Sequence, residues 1–307
     1  MEKFEVVMIG NTAVGKTSML SALSEELDEY NTRKVQLVPT THEFKVLRQR
    51  WNEMTAQVES QTPFTTLSEA IEGTLNIVSH EFDFKVDGSK ESTVLFTDTK
   101  GGMTAELDKQ LIERVNCAFG VYCVADASVM MECPASKNER FNCPKTVKRL
   151  LGEVYNDGDG KQPRFVVFVL TKCEKYMATK KGQVELAKTF HEKYDNILKM
   201  LETVECPPNV YVVAIQTMTC VSFLKLNAEG WPEFRVLPAK ELKTKDCAYP
   251  LVILLKELIN AIEEARRGIF ASPIDWLLKI FRIRKNLKAY LAEVESKIKI
   301  PTFYEEL

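Results

Sequence analysis

Eight consecutive residues near the start of the chain, Gly10-Asn11-Thr12-Ala13-Val14-Gly15-Lys16-Thr17, satisfy the spacing G-x-x-x-x-G-K-[ST]. A strand-like run ends at Ile9 and an amphipathic helix opens at Lys16, the context this pattern requires. Gly10 and Gly15 permit a close backbone approach and torsion angles that a Cβ forbids. The amides of the loop, and those of Lys16, Thr17 and Ser18 at the helix N-terminus, would then face an anion. Lys16 would neutralise the oxygens of a β/γ-phosphate pair, and the Thr17 hydroxyl would ligate Mg²⁺.

Two further clusters lie at the ends of apolar runs. Asp98-Thr99-Lys100-Gly101 closes the run Thr93–Thr97, so that Asp98 can hold Mg²⁺ through water and the Gly101 amide can touch a γ-phosphate. Thr171-Lys172-Cys173-Glu174 follows Phe165–Leu170. A carboxylate at Glu174 can accept from two guanine N–H groups while the Lys172 stem packs on the base face. The guanine-specific pattern expects Asp there, and Glu is one methylene longer, which leaves an adenine nucleotide open as an alternative.

The elements that must position these residues are legible as an alternation. Phe4–Ile9, Leu75–Val86, Thr93–Thr97, Ala118–Ala125, Phe165–Leu170 and Val210–Ile215 read as strands. Lys16–Glu29, Ala105–Val115, Thr146–Tyr155, Gln183–Glu202 and Pro250–Glu264 read as helices. Four of the strands lack alternation, as central parallel strands do. The second and third are joined by Asp87-Gly88-Ser89 and form a hairpin at one edge. The expected fold is α/β: a P-loop, doubly wound, mostly parallel six-stranded sheet with one antiparallel edge strand, plus a C-terminal helix. A domain over 1–264 would carry insertions at about 42–73, 127–145 and 220–246, the first with a helix-like stretch around Leu47–Val58 and the other two as surface excursions.

Composition narrows the function. The 307 residues hold 41 Lys+Arg against 43 Asp+Glu, a net charge of −2, which argues against a dedicated nucleic-acid binder. A hydrophobic share of 45% supports a real core. Eight cysteines without a C-x-x-C pair, and three histidines in polar and apparently exposed stretches, suggest free thiols in a reducing compartment rather than a metal site. The N-terminal run leads straight into the phosphate loop and is not a signal peptide, no apolar run approaches a membrane span, and the expected location is cytoplasmic.

The order of these motifs resembles the Ras-like GTPases of the translation-factor-related P-loop class over about residues 1–264. The long insertion before the hairpin, with Thr62-Pro63-Phe64-Thr65-Thr66, is also similar to double-GTPase families of bacterial conflict systems. The resemblance implies GTP/GDP with Mg²⁺, and a switch threonine that completes the metal shell: Thr40 in Pro39-Thr40-Thr41, with Thr65 or Thr66 as the alternative. It implies Lys16, Thr40 and Gly101 as the catalytic set and Thr17, Thr40 and Asp98 around the metal. The base would be read by Thr171, Lys172 and Glu174. Two departures stand out. No Ser-Ala follows the last strand near Gln216-Thr217, and Gly102 stands where competent members carry a water-orienting glutamine, which predicts slow hydrolysis.

Beyond Ala265 the character changes. Between Ala265 and Ile300 nine Lys/Arg face three Asp/Glu, so the near-neutral total hides a basic segment of +6. Trp276, Ile280, Ile283, Leu287, Leu291, Val294 and Ile298 recur at helical spacing, and Ser272-Pro273 suits a helix start. A basic amphipathic extension over 265–307 has three readings. It is a helix docked on the domain, a partner helix or homodimer seam, or a peripheral membrane contact through Trp276, Phe281, Arg282, Arg284 and Lys285. The sequence thus predicts a Mg²⁺-dependent guanine-nucleotide switch that meets a protein partner through the 31–45 and 98–108 loops or the C-terminal helix. A GTP-stabilised scaffold without turnover and a P-loop ATPase are the alternatives.

Overall fold

A computed structural model of the chain describes residues 3–31, 35–60, 66–67, 77–100, 108–156, 162–227, 232–237, 241–267 and 304–306, with 289 and 292 besides. Gly101, Gly102, Thr65 and most of the basic C-terminal segment lie outside the described residues.

Strands β1 (Lys3–Ile9), β5 (Ser89–Asp98), β6 (Gly120–Asp126), β7 (Phe165–Thr171) and β8 (Asn209–Ala214) form the parallel centre of an eight-stranded sheet. Its order is β11-β8-β7-β6-β1-β5-β4-β2, where β2 is Val35–Pro39, β4 is Val78–Val86 and β11 is Tyr304–Glu306. The sheet therefore has two strands more than the six expected. Moreover β4, the expected antiparallel edge, is interior, because β2 pairs antiparallel on its outer side. At the opposite edge β11 pairs antiparallel with β8. Its side chains are fixed from elsewhere in the chain: Glu305 meets His191 at 2.7 Å and Glu306 meets Lys256 at 2.6 Å. The last described residues of the expected C-terminal helix thus form a strand. The β4–β5 turn is Asp87-Gly88, both at positive φ, the two-residue connection that suits strand twist.

Side-chain alternation along the central strands feeds two cores. Val6 and Met8 of β1 face α1 (Lys16–Tyr30) and α9 (Tyr249–Arg267), through Leu20, Leu23, Leu251 and Leu254. Val7 and Ile9 face the other layer, through Leu111 of α3 (Lys109–Asn116), Leu150 of α6 (Pro144–Asn156) and Phe190 of α8 (Lys180–Thr203). This is the two-sided burial that non-alternating strands require. The helix-like stretch in the first insertion is α2 (Thr41–Glu59), which packs against α1. It is tied to β4 by Glu43, whose carboxylate meets the ring of His80 at 2.7 Å. His80 is 3% exposed, so the expectation of an exposed histidine is corrected: its polarity serves a buried pair.

The other two insertions carry regular structure of their own. Residues 127–145 fold into α4 (Ala127–Glu132), α5 (Ala135–Asn142) and the start of α6, with Val129, Met130 and Phe141 buried. Residues 220–246 contribute β9 (Val221–Leu226) and β10 (Pro232–Val236), which with β3 (Thr66–Leu67) make a second sheet of order β3-β10-β9. A short α7 (Glu174–Met177) follows β7. Among the described residues no helix is long and apolar enough to cross a membrane, and no disulfide joins the cysteines.

One buried charge locks α9 to the sheet. Glu257 is fully buried and accepts from Asn209 Nδ2 at 3.0 and 3.1 Å and from the Tyr211 hydroxyl, both on β8. Removing the carboxyl group strands one buried donor, the Tyr211 hydroxyl, while the exposed Asn209 amide turns to water. Glu257→Ala is therefore expected to lower unfolding free energy by about 2 kcal/mol, read from urea denaturation. A loss near zero would show that the pair carries no weight.

Candidate nucleotide-binding site

The site lies at the C-terminal ends of β1, β5, β6 and β7, where a doubly wound sheet presents its loops. Gly10 must lack a side chain: a Cβ there would sit 2.6 Å from the Val124 carbonyl of the neighbouring strand. Gly15 caps α1 at φ 102, in the left-handed region, and a Cβ would press the Thr171 hydroxyl at 3.3 Å. Ala13 also has positive φ, at 62. The loop between β1 and α1 is thus a tight turn that places the N-terminus of α1 beside the ends of β5 and β7.

Lys16 is 6% exposed, and its ammonium donates to the carbonyls of Gly10 at 2.8 Å and Asn11 at 3.0 Å. Burial pushes its pKa down, and the nearby Asp98 carboxylate pulls it back up. Thr17 Oγ1 donates to Asp98 Oδ2 at 2.5 Å, joining the first turn of α1 to the end of β5. Asp98 itself is fully buried. Ser18 follows in the same first turn, partly exposed. Thr99 anchors the strand end by donating to the Met8 carbonyl at 2.6 Å. The structure therefore brings Lys16, Thr17 and Asp98 into one cluster, as their motifs imply.

The 171–174 loop is locked to the Gly10–Thr17 loop. Thr171 Oγ1 donates to the Val14 carbonyl at 2.5 Å. Lys172, at φ 54, donates to the Ala13 carbonyl at 2.6 Å and to Asp126 Oδ2 at 2.7 Å. Asp126 is a residue to which sequence reasoning gave no part in the site. Its other oxygen accepts from Ser128 Oγ and the Val129 amide, capping α4. The signal was present as a strand-end Asp followed two residues later by Ser, an N-cap pattern. Glu174 is 7% exposed and is pushed up to about 7 by burial; backbone N–H groups of Glu174 and Met218 and the Lys172 charge oppose that rise, while Asp126 adds to it.

Asn11 Nδ2 donates to the Arg140 carbonyl at 2.8 Å and Asn11 Oδ1 accepts from the Thr12 amide at 2.8 Å, so the α4–α5 insertion buttresses the loop from outside. Thr40 is placed elsewhere. It precedes α2 with its amide on the Glu81 carbonyl at 3.0 Å. Through β4 and β5 it is level with Glu5 rather than Gly10 and three strands from β1, a separation from Gly10 of roughly 20 Å. Of the alternative threonines, Thr66 begins β3, which pairs with β10.

No family model and no curated protein matches the chain. Among solved structures it is similar to the GTPase-like domain of S. cerevisiae Ski7 bound to GTP, with a TM-score of 0.40 and 13% identity over 89% of this chain. The same domain bound to GDP and inorganic phosphate gives 0.41 and 11% over 89%. The chain spans about half, 52%, of the length of each. At that likeness no property passes from those domains to this chain.

Proposed function

We propose that the protein binds a guanine nucleotide with Mg²⁺ and acts as a slowly hydrolysing switch. The observation that carries this reading is the bonding of two separate motifs to one loop: Lys16 to the carbonyls of Gly10 and Asn11, and Lys172 to the carbonyl of Ala13. A phosphate chain and a base can be held together only if their two loops are fixed relative to each other, and the Lys172 bond fixes them.

An ammonium has three donors. Two of those on Lys16 go to loop carbonyls, which leaves the third for a phosphate oxygen. The amides at the N-terminus of α1 would supply the remaining positive field. Asp98 poses a problem for an anion, since a buried carboxylate beside phosphate is repulsive. The donor set answers it: a threonine hydroxyl and a carboxylate in contact are hard oxygen ligands suited to Mg²⁺, so Thr17 and Asp98 fit that ion. Bound there, Mg²⁺ would neutralise charge that develops on the transferred phosphoryl group. On this reading Gly101 touches the γ-phosphate through its amide. Thr40 completes the switch only by travelling from its place at the start of α2, and Thr65 or Thr66 is the nearer alternative in chain order to β4. Glu174 accepts from the guanine edge. Gly102, in place of a water-orienting side chain, favours slow turnover and keeps the non-hydrolysing scaffold as the second reading.

Lys16→Ala is expected to weaken fluorescent GDP binding about 100-fold, and Thr17→Ala to abolish the dependence of affinity on Mg²⁺. Equal binding of GTP and ATP in competition would sink the guanine assignment. Single-turnover hydrolysis by the purified protein at the rate of an activated GTPase would sink the slow switch.

The Glu174 carboxyl adds a pH signature with opposite signs for folding and binding. Its pKa is raised in the folded chain, so its stabilising contribution is full below about 4.5 and is lost as pH rises through about 7. Guanine needs the ionised form. Affinity for GDP is therefore expected to fall about fivefold from pH 7 to pH 6, while the ligand-free protein melts higher. Isothermal titration of wild type and Glu174→Gln across that range checks this, and a slope that survives in the glutamine variant refutes it.

A further inference from the structure

The insertion at 220–246 is aimed at the proposed base site. Lys172, whose ammonium is held by Ala13 and Asp126, lies 5.5 Å from the centroid of the Phe234 ring on β10. One helical turn on, Lys175 lies 5.1 Å from the Phe223 ring on β9. Phe223 and Phe234 are register partners across the hairpin and meet edge to face at 6.2 Å. The far end of β9 rests on the other insertion, with Leu226 packed against Val129, Cys133 and Phe141. The hairpin thus spans from α7 to the α4–α5 insertion that buttresses Asn11. It is held along its outer side by β3, where Phe234 pairs with Leu67 and Arg235 with Thr66.

A hairpin fastened at three points above the Lys172 and Glu174 loop is a roof. Phe234 is only partly buried, although it is a large aromatic ring in a tightly fastened element. The Lys172 ammonium stands over this ring, and a flat aromatic ring beside a cation at a loop of this kind is a surface on which a nucleobase stacks.

We infer that the β9–β10 hairpin roofs the nucleobase site and that Phe234 is a base-stacking residue supplied by this insertion. This rests on the nucleotide reading above, and deepens it by assigning the base a second face. Lys172 provides one wall, Glu174 the edge, and Phe234 the other wall. The base contact is independent of the phosphate contacts at Lys16 and Thr17, and that independence makes it testable.

The test uses the full chain and compares wild type with Phe234→Ala, Phe234→Leu and Phe234→Trp, each first shown by circular dichroism to be folded. Dissociation of fluorescent GDP and ADP is followed by stopped flow, and inorganic tripolyphosphate serves as the ligand without a base. The expected result is dissociation of the bound nucleotide roughly 10-fold faster in the alanine and leucine variants, near-wild-type dissociation in the tryptophan variant, and unchanged tripolyphosphate affinity in all. Dissociation within twofold of wild type in Phe234→Ala overturns the proposal, as does a loss of tripolyphosphate affinity that matches the loss of nucleotide. If wild type holds ADP and not GDP, the guanine reading falls while the roof stands on the ADP rates. If it holds neither, both fall.

Discussion

The structure turns on where the Lys172 ammonium goes. Three buried carboxylates, Asp98, Asp126 and Glu174, crowd the ends of the central strands, and an anionic ligand brought there meets their field before it meets any contact. Lys172 removes one of the three by pairing with Asp126, and in the same geometry bonds the carbonyl of Ala13. It must adopt a left-handed backbone to do so. That conformation is costly for a side chain with a Cβ and persists because both bonds and the packing of Thr171 beneath Val14 enforce it. The relative position of the two motif loops thus follows from one strained residue rather than from the sheet alone.

Much of the site and half of the fold were legible in the sequence, for reasons that differ by residue. The phosphate loop was readable because its glycines answer to backbone geometry local to the motif, the Val124 carbonyl for Gly10 and the left-handed cap for Gly15. The central strands were readable because burial on both faces demands unbroken apolar runs. The two edge strands were not. Val35–Pro39 is five residues ending in proline, and Tyr304–Glu306 is three residues, two of them acidic. Both are strands because a distant partner completes them. His191 and Lys256 bond the acidic pair from other elements, and no local window contains that information.

Insertions were legible as interruptions but not as parts of a machine. Residues 127–145 read as a polar, proline-punctuated excursion, yet Phe141 and Val129 are buried and the Arg140 carbonyl holds Asn11. Val221–Leu226 reads as part of a surface excursion, and nothing local in it says that it is a strand or what Phe223 faces. Thr40 shows how a motif and its local structure can carry different information. A dipeptide that suits a switch occurs at the start of a helix, where the chain uses the residue to turn from strand β2 into α2.

The C-terminal strand has a mechanical consequence. Because α9 ends at Arg267 and β11 is stitched to β8 at Tyr304–Glu306, the basic stretch between them is a closed span anchored at both ends. Closure raises the chance that its two halves meet one surface together, since the loop cannot diffuse away as a free tail would. Any surface that draws those cations outward acts at once on α9 and on β11, the edge strand of the same sheet whose central strand β1 leads into the Gly10–Thr17 loop.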